Sequence, residues 1–190
     1  MTRRTLTPAL VIDVAAALAD RDGFDAIVVS AVAEKLGVRS ASLYGHVRDR
    51  QAILAGVQKL AMNELADTIG AAIAGRSRAE ALFAMGEAQR RYARERPGCW
   101  ESLQRRAEVG VPQSDESSRV ATLALAVLRG YGLADHDAVH AVRVAGAAIG
   151  GFIGLERTGA FDHRDHDVEE SWRRTIDMLD GAFASWGAAA

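Results

Sequence analysis

A chain of 190 residues has room for one domain, or for a small domain joined to a larger one, and its 49% apolar residues can build a substantial core. Aromatic residues make up only 6% and Pro only 3 positions, alanine is abundant, and no segment shows sustained β-branched alternation. This argues against a β architecture and for close-packed helices, so the expected fold class is all-α. The single cysteine, Cys99, excludes an intramolecular disulfide and a Cys-based zinc site. A formal net charge of −2 excludes nucleic-acid recognition by bulk charge.

In chain order, Arg3 and Arg4 form a short basic arm, either a phosphate or minor-groove contact or a solvated tail. Together with the apolar run that follows they faintly resemble a secretory signal, but Asp13 interrupts the run and Asp20, Arg21 and Asp22 close it. Thr7-Pro8 is a strong helix start, a hydroxyl cap followed by Pro at the first helical position. The predicted helix reaches about Arg21 with Val11, Ala15, Leu18 and Ala19 inward; Asp22-Gly23 ends it and Phe24 packs back as a plug.

Residues 30–50, SAVAEKLGVRSASLYGHVRDR, read as two short helices joined by a tight turn. Val32, Ala33 and Leu36 give the first an apolar face. Gly37 permits a turn with positive φ, and Val38 suggests a packed one. Ser40 is the expected N-cap of the second helix, in which Leu43 and Val47 share the inward face. Arg39, Ser42, Tyr44 and His46 are left for the outside. The arrangement matches a helix-turn-helix, whose second helix enters the major groove, although a core hairpin has the same spacing.

From Val11 to Leu54 the sequence resembles the N-terminal domain of TetR-family transcriptional repressors. The carrying residues are Ala15, Gly23-Phe24, Val32-Ala33, Leu36-Gly37-Val38, Ser42-Leu43-Tyr44, His46 and Ile53-Leu54. Val47 stands where the family usually has Phe, and Arg50 can supply the charge of a Lys usual in the following turn. Ile27-Val28-Val29 fills the region where the family often has a Thr, so Ser30 caps that helix or it begins uncapped. The resemblance implies a three-helix head joined by a long helix to a larger helical domain that binds an effector and dimerises. We expect a DNA-binding head at 1–50 and a ligand-binding and dimerisation domain at 51–190. Residues 1–50 hold seven Lys/Arg and six Asp/Glu, so a DNA footprint depends on the placement of Arg3, Arg4, Lys35, Arg39, Arg48 and Arg50. The expected DNA-binding set is Arg39, Ser40, Ser42, Tyr44, His46 and Arg50.

Downstream, Asp49 can cap a long helix through Ile53, Val57, Leu60, Leu65 and Ile69, ended by Ala74-Gly75-Arg76-Ser77. A helix follows from about Ser77. The run Arg90-Arg91, Arg94-Glu95-Arg96 reads as a solvated face, and Arg96-Pro97-Gly98-Cys99-Trp100 as a break before a short helix from Trp100 to about Val109. Gln113-Ser114-Asp115-Glu116 leads into a further helix, Gly130-Tyr131-Gly132 stops it, and two long helices are expected at Asp135–Leu155 and about Val168–Trp186. The Arg-Pro-Gly break and the run Gly150-Gly151-Phe152-Ile153-Gly154-Leu155-Glu156 resemble one subgroup of the family's C-terminal domains. No stretch reaches the length needed to span a membrane, and a cytoplasmic location is expected.

His163, Asp165, His166 and Asp167 invite a metal reading, but adjacent loop residues read more simply as a solvated linker. His136 and His140 lack the Glu of a zinc-protease helix. No catalytic motif is visible, and neither a metal nor a cofactor is expected. An apolar effector pocket can draw on Phe83, Tyr92, Trp100, Leu103, Tyr131 and Phe152, with Arg106, His140, Arg143 and Glu156 as candidate polar anchors; the plainer reading of each is ordinary core for the six and a surface position for the anchors. The dimer interface is expected on the last two helices at Ile149, Trp172, Ile176, Leu179 and Phe183, where spacings of four, three and four make one stripe along the last helix; the alternative is that the C-terminal domain covers this stripe within the monomer. The expected function is a homodimeric DNA-binding regulator, a repressor released from a palindromic operator by a small-molecule effector. The alternatives are a dimeric regulator without an effector, and a small helical enzyme or binding protein with an incidental hairpin.

Overall fold

Helix starts and stops follow local chemistry along most of the chain. The computed structural model describes residues 5–163 and 165–188; Arg3 and Arg4, Arg164 and the last two alanines lie outside the described residues. Thr7 Oγ1 accepts from Leu10 N–H at 3.2 Å and starts α1 (Pro8–Asp22). Gly23, at φ +90, ends it, and Phe24 is buried in a 3₁₀ turn, Phe24–Ala26. Helix α2 (Val29–Leu36) begins with no side-chain cap, so Ser30 lies inside it rather than capping it. Short α3 (Ser40–Leu43) follows, then α4 (Arg50–Ile73), capped by Asp49, whose Oδ1 accepts from Ala52 N–H at 2.8 Å.

Gly75, at φ +73, separates α4 from α5 (Arg78–Glu95). The next helix, α6, spans Pro97–Gln104 and not Trp100 to Val109. The expected break is this helix's own start, because a Pro lacking its N–H is well placed in a first turn, where that N–H has no intrahelical partner. Ser114 Oγ accepts from Ser117 N–H at the start of α7 (Asp115–Arg129), and α8 (Asp135–Arg157) and α9 (Val168–Ala188) complete the described elements. There is no strand among the described residues, and the fold is all-α.

The chain packs into two compact units. The first takes residues 1–64 and 92–118, the second 65–91 and 119–190. The first unit thus holds α6 as well as the head. Its core includes Val11, Ala15, Leu18, Phe24, Ile27, Val32, Leu43, Ile53, Val57 and Trp100.

The second unit is built around Arg90, which is 2% exposed and so corrects the reading of its charge run as a solvated face. Its guanidinium binds Glu156 through Nε and Nη2 and Glu169 through Nη1, and lies 5.2 Å from the Trp172 ring centroid and 5.9 Å from that of Phe152. A charge this deep persists only when paired, and these partners, Glu156 foremost, hold the guanidinium protonated. Helix α8, at 23 residues, is long and apolar enough to cross a membrane by length and composition, contrary to expectation. Its apolar residues Ala138, Ala141, Ala145, Ile149, Phe152 and Ile153 are instead buried in this unit.

Candidate nucleic-acid interface

The head is shaped by Gly37. In the left-handed region at φ +67, ψ +30, it donates to Glu34 O at 3.0 Å while Val38 N–H donates to Ala33 O at 3.0 Å. These two bonds close the end of α2 and turn the chain within three residues into α3. Leu43, fully buried, and Val47, nearly so, anchor α3 inward. The opposite side is thereby presented outward: Arg39, Ala41, Ser42, Tyr44 and Gly45 are exposed, Tyr44 at 58%. Ser40 and His46 are half-buried. Ser40 does not cap α3; Arg39 occupies the N-cap position, without a side-chain bond.

Arg50 differs from the rest of the expected set. Its Nε–H donates to Ile27 O at 2.6 Å, which ties the first turn of α4 to the segment before α2. Its first contribution is therefore structural. Lys35 and Arg48 are exposed nearby in sequence, Arg48 pairing with Asp49 at 2.7 Å. Ala41 and Gly45 were missed by the sequence reading because neither carries a polar group. Their only signal was their position either side of inward Leu43. The exposed face thus combines a guanidinium, a hydroxyl and a phenol with the small residues Ala41 and Gly45.

The six residues expected to line an effector pocket divide between the two units. Tyr92, Trp100 and Leu103 belong to the first unit, and Phe83, Tyr131 and Phe152 to the second. Tyr92 is buried and donates to Glu64 at 2.8 Å. Tyr131 donates to Asp180 at 2.6 Å, and Phe152 packs on Phe161 and Trp172 at 5.0 and 5.1 Å. These are core contacts. Of the anchors, Glu156 is occupied by Arg90, while Arg106, His140 and Arg143 are exposed. Phe83 does line a groove of about 610 Å³ in the second unit, open to solvent, with Arg76, Glu80, Glu87 and Arg91 among its walls.

The expected dimer residues also need correction. Ile149, Trp172 and Phe183 are fully buried, and Ile176 and Leu179 nearly so, in the protein's own core. A stripe on an amphipathic helix faces whatever covers it first, and here the same chain does. The other faces of α8 and α9 expose Val139, Val144, Leu155, Met178 and Trp186. Gly146, Gly151 and Gly181 on these faces open onto empty space. No group of three or more His, Cys, Asp or Glu side chains suited to a metal occurs among the described residues; His136 pairs with Asp137, and Asp167 Oδ1 accepts from Glu169 N–H at the start of α9.

Comparison with known proteins identifies this architecture. Residues 11–57 match the model of bacterial regulatory proteins of the tetR family, and residues 82–179 that of the tetracyclin repressor-like C-terminal domain. The chain belongs to the TetR family. Among curated relatives it is 32% identical over 151 residues to the uncharacterized HTH-type transcriptional regulator Rv0681 of Mycobacterium tuberculosis, covering 78% of this chain and 69% of that one. It is 30% identical over 171 residues to the uncharacterized HTH-type transcriptional regulator YobS of Bacillus subtilis, covering 87% and 86%. Its fold is similar to that of a TetR point variant from Acinetobacter baumannii in complex with minocycline, with a TM-score of 0.72, 20% identity, and coverage of 94% and 97%. This TetR-family member is a DNA-binding transcriptional regulator and not an enzyme.

Proposed function

We propose that the regulator is a cytoplasmic homodimeric repressor whose two heads occupy successive major grooves of a palindromic operator. The observation that carries this reading is the exposed face of α3, Arg39, Ser42 and Tyr44 set opposite buried Leu43 and Val47. Arg39, Ser40 and Ser42 read bases; Tyr44 and His46 contact the backbone, and the terminal nitrogens of Arg50 add charge. The second copy docks on the outer faces of α8 and α9, where glycines permit close approach and Val144, Leu155 and Met178 supply apolar area. Selection of bound fragments from random DNA tests the main claim and supplies the operator. Sedimentation at micromolar concentration tests the dimer, which a single 20.3 kDa species would refute.

A small-molecule effector acts by binding better to the conformation with the lower operator affinity. The groove beside Phe83 supports a ligand with an apolar body and a charged group, and minocycline in the related structure supports an effector in general. The rival is a regulator without an effector, favoured by the use of Tyr92, Trp100, Tyr131 and Phe152 as core. Thermal shift against a chemically diverse panel separates the two: a ligand that raises the melting temperature and lowers operator affinity supports the first.

A further inference from the structure

Helix α6 lies far beyond the helix-turn-helix in sequence, yet it belongs to the same compact unit and is held there at both ends. At its N-terminus, the Asp20 carboxylate of α1 accepts from Gly98 N–H at 2.9 Å and Cys99 N–H at 3.0 Å through Oδ1. Oδ2 pairs with Arg96 Nε at 3.1 Å, and Arg96 in turn reaches Glu64 of α4 at 3.1 Å. Asp20 is thus a cap supplied from a distant helix to two N–H groups that α6 cannot satisfy itself. At the other end, Gln58 of α4, 2% exposed, donates through Nε2 to Ser102 O at 3.1 Å and Arg106 O at 3.3 Å. Its Oε1 accepts from Glu108 N–H at 2.9 Å. Between the clamps, Phe24 N–H donates to Glu101 Oε2 at 3.2 Å.

Helix α6 therefore joins α1 to α4 by bonds that saturate a buried amide and a carboxylate. Helices α2 and α3 hang between the same two helices in the chain. We propose that Asp20 and Gln58 are positioning residues for DNA binding: through α6 they set the angle of α1 to α4, and with it the presentation of α3. Neither residue touches DNA in this scheme. The DNA-binding unit then extends well beyond residues 1–50 and includes residues 97–108.

The proposal rests on the two-headed reading above, and the test separates them. A small error in the pose of each head leaves binding to a single half-site intact, but prevents both heads from engaging together and so removes the gain from bivalency. Affinity is measured for the selected operator and for a fragment with one half-site, beside the melting temperature of each variant. For Asp20→Ala and Gln58→Met we expect operator affinity to fall about tenfold or more while half-site affinity changes less than about twofold. Asp20→Asn keeps an acceptor for Gly98 and Cys99 and should restore most of the loss. If Asp20→Ala does not fold, Gln58→Met and Asp20→Asn carry the comparison. A wild-type operator preference unchanged in every folded variant overturns this inference alone, as does an equal fall on both DNAs. A wild type without preference for paired half-sites overturns the two-headed reading and this inference with it.

Discussion

Gly98→Ala is the sharpest test of how α6 is seated. A Cβ at position 98 would lie 2.5 Å from Asp20 N and closer still to the carbonyl carbon and oxygen of Ala19. These are backbone atoms of α1, so no side chain can swing aside, and α6 must move off α1 by roughly 1 Å to regain ordinary contact. That movement stretches the 2.9 and 3.0 Å bonds from Gly98 and Cys99 to Asp20 beyond hydrogen-bonding distance. Overpacking costs about 1–3 kcal/mol, and losing hydrogen bonds to a charged group costs about 1.5–3 kcal/mol, partly overlapping, so we expect about 2–4 kcal/mol in all. At about 2–4 °C per kcal/mol for a chain of this size, the melting temperature should drop by roughly 4–16 °C. Gly70→Ala is the control: its Cβ meets only Leu123 methyls at 3.9 Å, and helix propensity favours Ala by about 1 kcal/mol. Thermal and urea unfolding of both variants would measure the difference. Gly98→Ala melting within a degree of wild type would refute the close seating of α6 on α1.

Other expectations follow from the head, the second unit and Cys99. Arg39→Ala should cost about 1–3 kcal/mol at one base position and relax the motif there, whereas Tyr44→Phe should weaken all sequences alike; repeated fragment selection checks both, and an unchanged motif for Arg39→Ala would rule out direct readout. Leu179→Glu, placing a charge at a position 2% exposed, should unfold the second unit, while Met178→Glu, at 64% exposure, should leave circular dichroism intact and shift sedimentation toward 20.3 kDa. The reverse pattern would restore Leu179 to the interface. Burial, with the Asp20 charge adding to it, pushes the Cys99 thiol up to about 11 from an ordinary value of 9.0. It should resist a disulfide reagent at pH 8 until the protein is unfolded. A raised acid pKa stabilises the fold below pH 9, and that contribution is lost as pH rises through about 11. Rapid labelling of the folded protein would contradict this burial.

What the sequence alone determined is local. Thr7, Gly37, Asp49, Gly75 and Ser114 mark helix limits correctly because a cap or a positive-φ turn acts within a few residues of itself. The outward set at Arg39, Ser42 and Tyr44 was legible for the same reason: inward Leu43 and Val47 define one face of a short helix, whatever lies behind it. The tertiary structure decided what depends on partners far along the chain. Gln58 meets Ser102 across 44 residues and Asp20 meets Cys99 across 79, and nothing near either residue announces its partner. Arg90 looked solvated until carboxylates and rings from α8 and α9 closed over it. The stripe of Trp172, Ile176, Leu179 and Phe183 was read correctly as a buried face, but periodicity reports only that a face is covered. Whether the cover is the same chain or a second copy is a matter of packing, and here the chain's own core takes it.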